Sequence, residues 1–254
     1  MNQTEKAETF HRLHVPGDPL VLYNIWDAGT AKAASAAGAK AVATGSWSVA
    51  GAQGYGDGEQ IPLDLVETLA AGIVASVDLP VSIDFEGGYA VAPDKVVANV
   101  ARLIACGVVG INFEDQVVGG SGLHDIAAQS DRIAAVRAAA EKAGVNFFIN
   151  ARTDLFLKAK PDAHASHLEE ALERGKAYAA AGASGFFVPG LMDEGLIGQI
   201  TGACSLPVNV MMKSGGPSLE SLCSLKVARV SHGPGPFVTA MSRFEAATKE
   251  ALTG

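Results

Sequence analysis

The sequence predicts an α/β fold, a single (β/α)8 barrel, and three observations carry that prediction. Eight short apolar runs of strand character alternate with Ala-rich helical runs along the whole chain. The length, 254 residues, is the usual size of one such barrel. Gly38, Gly107, Gly144 and Gly182 each fall just after a helical run, where a left-handed residue ends a helix.

The elements read in order as follows. The strand run at 20–26 leads to a helix at 28–37, with Asp27 placed to cap it. The strand at 41–45 precedes a helix at 63–77, and the strand at 81–86 a helix at 93–106 that opens on Pro93. Strands at 110–114 and 147–151 are followed by helices at 127–143 and 166–181. The last three pairs are 185–188 with 193–201, 207–211 with 218–225, and 228–231 with 237–251. A doubly wound open sheet is the alternative, but no GxGxxG follows the first strand and no P-loop occurs. No linker interrupts the pattern, so residues 1–254 read as one barrel domain.

Composition narrows the partners. Lys and Arg number 19 against 27 Asp and Glu, with no basic run, which argues against nucleic acid. The three cysteines, Cys106, Cys204 and Cys223, lack metal-site or secreted-scaffold spacing and read as buried or incidental thiols. Residues 1–20 carry no apolar signal core, and no stretch approaches the roughly 18 apolar residues of a membrane span. A cytoplasmic protein without membrane contact is expected.

The chemistry is concentrated at strand ends, where barrels of this class place their sites. Side chains alternate along a strand, so Asp84 and Glu86 are expected on one face, and Glu114 shares its face with Asn112. Three carboxylates together repel unless a cation or proton relieves them, and hard oxygen ligands favour Mg2+, for which Mn2+ can substitute. Thr44-Gly45-Ser46-Trp47-Ser48 and the glycine-rich stretch around Asp57 suggest a loop whose amides hold an anion. Arg152 is either a fork for a substrate carboxylate or a structural partner of Glu114 or Asp154. Asp27 and Asp154 read as helix caps. Gly119-Gly120-Ser121-Gly122-Leu123-His124-Asp125 suggests a mobile lid, and His124 and His232 are candidate acid/base groups.

Together these residues resemble the isocitrate lyase / phosphoenolpyruvate mutase superfamily over nearly the full chain. The carriers are Asn24-Ile25-Trp26-Asp27-Ala28, Thr44-Gly45-Ser46, Asp57, Asp84-Phe85-Glu86-Gly87-Gly88-Tyr89, Asn112-Phe113-Glu114-Asp115, Ala151-Arg152-Thr153-Asp154, Pro207-Val208-Asn209-Val210 and Arg229-Val230-Ser231. The resemblance implies a Mg2+-dependent barrel that makes or breaks C–C or C–P bonds in small 2-oxo or 2-hydroxy acids. It assigns Asp84, Glu86 and Glu114 to the metal and places Asp57 beside it. Ser46 and Trp47 would bind the acid carboxylate, with Ser48 and Asn209 as further contacts, and Arg152 would reach a substrate oxygen. A homo-oligomer follows, a dimer or a tetramer, with the last helix exchanged between subunits.

Departures from the superfamily narrow the reaction. The segment after Glu114 has neither the cysteine nor the lysine of isocitrate and methylisocitrate lyases. Gly119 stands where mutases and phosphonopyruvate hydrolases carry a gate lysine, and Ser121 where they carry asparagine. The expectation is therefore a lyase or decarboxylase of an oxaloacetate-like or alkylmalate-like diacid, working through a metal-stabilised enolate. Mutase or phosphonopyruvate hydrolase chemistry is the alternative, and a 2-oxo acid binder without catalysis a third.

Overall fold

In the computed structural model, which describes residues 1–254, eight parallel strands form one sheet. They are β1 (Leu20–Leu22), β2 (Val42–Ala43), β3 (Val81–Asp84), β4 (Gly110–Glu114), β5 (Phe148–Arg152), β6 (Gly185–Phe187), β7 (Val208–Met211) and β8 (Arg229–Ser231). Each pairs with its sequence neighbour from β2 to β8, and β8 returns to β1. A parallel bridge between Ile25 and Thr44 brings β1 and β2 together. The predicted barrel is therefore the observed one.

Helices cover the outside: α2 (Ala28–Ala36), α4 (Leu63–Ser76), α5 (Pro93–Ala105), α6 (Ile126–Lys142), α8 (Leu168–Ala180), α9 (Glu194–Ala203) and α10 (Leu219–Ser224) match predicted runs. The helix α5 shows why they dock. Val96, Val100, Leu103 and Ile104 recur at helical spacing and are buried, while Asp94 and Lys95 face solvent. Asp27 caps α2 by accepting from the Thr30 amide at 2.7 Å, as predicted.

Three α-helices lie outside the predicted pattern, besides a 3-10 helix at Pro161–His167. The first is α1 (Gln3–Arg12), opened by a reciprocal capping box between Asn2 and Glu5. It seals the N-terminal end of the barrel. Its Phe10 is fully buried, 5.2 Å centroid to centroid from Phe148. A side chain at Gly110 would meet Phe10 at 3.2 Å and the Phe148 carbonyl at 2.8 Å, so glycine there lets α1 seat. The others are α3 (Ser46–Ala52) and α7 (Leu155–Lys158), both at the opposite end.

The last helix, α11 (Gly235–Thr253), behaves differently. Pro236 is its one buried residue. Val238, Met241 and Phe244 form an apolar stripe in solvent, Phe244 being 70% exposed. Phe237 ties its start to the barrel, with edge-on contacts to Trp26 and Trp47.

Candidate functional site

A cavity of about 220 Å³ opens at the C-terminal ends of the strands. Of the predicted residues it gathers Ser46, Trp47, Asp57, Asp84 and Arg152. Asn112 on β4 and Ser231 on β8 complete its polar floor.

Asp84 ends β3 and is held from two sides. The Ser46 amide donates to its Oδ2 at 3.0 Å and Asn112 Nδ2 to its Oδ1 at 3.3 Å. Asn112 is itself oriented: Asn150 Nδ2 donates to its Oδ1 at 2.8 Å, and Arg229 Nη2 at 3.1 Å. With two donors on its oxygen, its amide nitrogen must turn to Asp84. Asp57 lies at the cavity edge, its carboxyl pushed up by desolvation and by Asp84.

The metal triad needs correcting in its geometry. Asp84 and Glu86 do not share a strand face, because β3 stops at Asp84 and the chain turns. Glu86 sits at φ +48°, in the left-handed region, and Gly88 bonds back to the Phe85 carbonyl at 2.9 Å. Its carboxylate consequently points to the Glu59 amide, 2.8 Å away, rather than into the cavity. Glu59 in turn accepts from the Tyr89 amide at 2.7 Å. The pair thus pins the segment that carries Asp57 against the turn after β3. Glu114 is buried beside Arg152, its register partner on β5, at 3.0 Å. No three acidic or histidine side chains converge into a closed metal cluster.

Electrostatics mark the region nonetheless. Burial, Asp57 and Asp84 push Glu86 up to about 8. Burial likewise raises Glu114 well above the carboxylate range, against the pull of Arg152. Arg152 is the cation in their midst. Burial opposes its charge, yet Glu114, Asp154 and Asp84 outweigh burial and hold it protonated. Arg152 grips Asp154 with two nitrogens, at 2.6 and 2.9 Å. The ion pairs that the structural reading of Arg152 expects are thus present, with both proposed partners, while Arg152 also lines the cavity. Asp154 stands at the N-cap position of α7 as expected, but its side chain makes no capping hydrogen bond, its carboxylate being taken by that fork.

Other predicted residues lie elsewhere. Ser48 is buried on the inner side of α3, its hydroxyl unpartnered. Asn209 lies under the floor, exchanging hydrogen bonds with Ser231 at 3.3 Å. His124 lines a separate cleft with Glu59 and Arg132. His232 packs on Tyr23 in an open cleft beside the cavity. The expected lid is a closed hairpin, with a bridge between Gln116 and Leu123, and none of its residues lines the cavity.

Sequence reasoning passed over Lys213, which lines the cavity after β7. It also left Asn24 without a role. Its Oδ1 accepts the His232 and Gly233 amides at 2.9 Å and so laces β1 to β8. A polar residue inside the apolar run 20–26 was the available signal.

The fold and this rim define a (β/α)8 barrel with a charged cavity where barrel enzymes work. The chain belongs to the phosphoenolpyruvate phosphomutase family, which it matches over residues 10–252. The uncharacterized protein Rv1998c of Mycobacterium tuberculosis is 34% identical over 229 residues, 90% of this chain and 83% of its own. The 2-methylisocitrate lyase of Escherichia coli is 28% identical over 212 residues, 77% of this chain and 69% of its own. A Burkholderia cenocepacia protein provisionally assigned as a phosphonomutase superposes with a TM-score of 0.96 at 46% identity, covering 98% of this chain and 100% of that one. The wider superfamily consists of enzymes, lyases and mutases among them, that depend on Mg2+; a phosphonopyruvate hydrolase of the same fold binds oxalate with Mg2+.

Proposed function

We propose that this protein is a Mg2+-dependent lyase or decarboxylase that cleaves a C–C bond in a small 2-oxo or 2-hydroxy diacid through an enolate. One observation carries the reading. Asp57, Asp84, Glu86 and Glu114 crowd the strand ends, and the arginine among them is already committed to carboxylates. Beside these carboxylates no uncommitted positive charge stands until something brings it.

The donors fit a hard dication. Every acidic group here offers oxygen, and no histidine or cysteine lines the cavity. Mg2+ takes one or two protein carboxylates and keeps its waters, which suits Asp84 directly with Asp57, Glu86 and Glu114 set back. When bound, such an ion would supply Lewis acidity to the oxygens of the substrate.

The chain's own residues do the rest. The Trp47 amide, which has no partner in the chain, and the Ser46 hydroxyl would bind the carboxylate of the 2-oxo acid. Arg152 adds fixed positive potential in the same cavity. Asn24 and Asn112 hold strand ends in place, so the charges need no reorganisation during reaction. Trp47 and Phe187 exclude water from part of the wall. Asp57, raised and at the edge, is the best-placed group to take the hydroxyl proton.

The reading includes a homo-oligomer, a dimer or tetramer, in which the exposed stripe of α11 packs on a second copy. The absence of a gate lysine keeps mutase and phosphonopyruvate hydrolase chemistry second. Incubation with Mg2+ and a panel of oxaloacetate-like and alkylmalate-like acids should release pyruvate, glyoxylate or another 2-oxo acid. No product above blank, with Mg2+ and oxalate still bound, would reduce the protein to a binder. Turnover of phosphonopyruvate alone would favour the C–P alternative.

A further inference from the structure

We propose that Lys213 binds the anionic group at the far end of the substrate from its 2-oxo or 2-hydroxy acid. It would thereby select diacids over monoacids. The inference rests on the function proposed above and deepens it.

Three observations support it. The first is charge. Lys213 and Arg152 are the cationic side chains that line the cavity. Arg152 is held by Asp154, by Glu114 at 3.0 Å and by Asp84 at 3.8 Å. Lys213 pairs with no carboxylate. A second negative group entering the cavity therefore has one uncommitted cation to meet.

The second is topology. The strand order places β7 diametrically across the eight-stranded barrel from β3. Asp84 ends β3, and Lys213 follows β7 by two residues. A substrate anchored at the Ser46 and Asp84 side presents its other end to Lys213. Along the rim from Arg152 to Lys213 the wall is apolar, with Phe187 on β6, Pro189 after it and Met211 on β7. That arrangement suits a carbon chain with a charge at each end.

The third is the base from which Lys213 projects. The Met212 amide donates to the Ser231 carbonyl at 2.8 Å, and the Gly216 amide to the Lys213 carbonyl at 3.1 Å. The backbone is tied on both sides, while the exposed side chain is free to swing between the cavity and the outer cleft. A flexible ammonium on a fixed base suits a group whose position differs from one diacid to the next.

The test uses three probes with Mg2+ and calorimetry on the intact protein. Oxalate fills the acid end alone. Malate carries a distal carboxylate, and 2-hydroxybutyrate is its near-isostere without one. Wild-type protein should bind malate more tightly than 2-hydroxybutyrate. Lys213→Met should weaken malate about tenfold or more, the usual effect of losing one charged hydrogen bond, and leave oxalate within about twofold. Lys213→Arg should keep most of the preference. If Lys213→Met leaves the malate preference intact, or weakens oxalate equally, the inference is overturned. If oxalate fails to bind wild-type protein at all, the function proposed above is itself wrong.

Discussion

The two ends of this barrel handle charge in opposite ways. At the N-terminal end, α1 closes the barrel and leaves polar groups without water. His14 is 6% exposed and stacked 4.0 Å from Phe148. Its Nδ1 donates to the Phe10 carbonyl at 2.7 Å, so the ring is neutral with Nε2 bare in the core. Burial and the nearby Arg229 lower its pKa to about 3. Arg229, also sealed in, is depressed by burial to about 9. Here burial works against charge: His14 is neutral, and Arg229 stays protonated at neutral pH against that burial. At the C-terminal end the protein accumulates charge and leaves it unbalanced, with Glu86 forced up to about 8. The sealed end stabilises the fold. The open end costs stability and waits for a ligand, as functional sites do.

Even acids near the open end can be settled when their role is structural. Asp115 is fully buried, but Arg174 reaches it at 3.1 Å and the Tyr178 hydroxyl at 2.8 Å. The unsettled carboxylates are those around the cavity.

The largest expected effect lies at the sealed end. Phe10→Ala should cost about 3–5 kcal/mol by chemical denaturation, while affinity for oxalate in the folded fraction stays unchanged. A parallel loss of affinity would mean that the ends are coupled.

The ends should also oppose each other in pH. His14 has a folded pKa below its unfolded one, so its contribution is present above about 6.5 and lost progressively as pH falls toward 3. Glu86 has a folded pKa above its unfolded one. Its contribution is present below about 4.5 and lost as pH rises toward 8. Each group changes stability by up to roughly 1.4 kcal/mol per pH unit inside its window. Without metal, His14→Phe should flatten the acid limb and Glu86→Gln the neutral limb of the stability curve. Saturating Mg2+ should flatten the neutral limb as well. A neutral limb that ignores both Mg2+ and Glu86→Gln would break the contrast.

The strands were legible because their apolar runs are long enough to declare a period and are bounded by glycines. The helix α1 left a signal too, the Asn2 and Glu5 capping pair, inside a segment whose polarity hid Phe10. At the site, Asp84 and Arg152 were found because they end strands. Glu86 was misplaced because alternation holds only while the chain stays extended, and here it turns left-handed one residue past Phe85. Ser48 and Asn209 share motifs with cavity residues, but a helical turn and strand alternation send them inward. The histidines drew attention by chemistry alone. Lys213 had no motif around it, and only closure of the barrel brings β7 opposite β3.

The smallest expected effect follows from that. His124→Ala, in its separate cleft, should change turnover by less than about twofold, close to the neutrality of most surface changes. A loss of a hundredfold would restore the lid to the chemistry.

The central claim is that the unbalanced carboxylates form a Mg2+ platform for a 2-oxo acid. Calorimetric titration of oxalate into wild-type protein and Asp84→Ala, each with and without Mg2+, tests it most directly. The account predicts that wild-type protein binds oxalate only with Mg2+, and that Asp84→Ala, still folded, does not bind it under either condition. Oxalate binding by wild-type protein that is indifferent to Mg2+, or Mg2+-dependent binding that survives in Asp84→Ala, would contradict it.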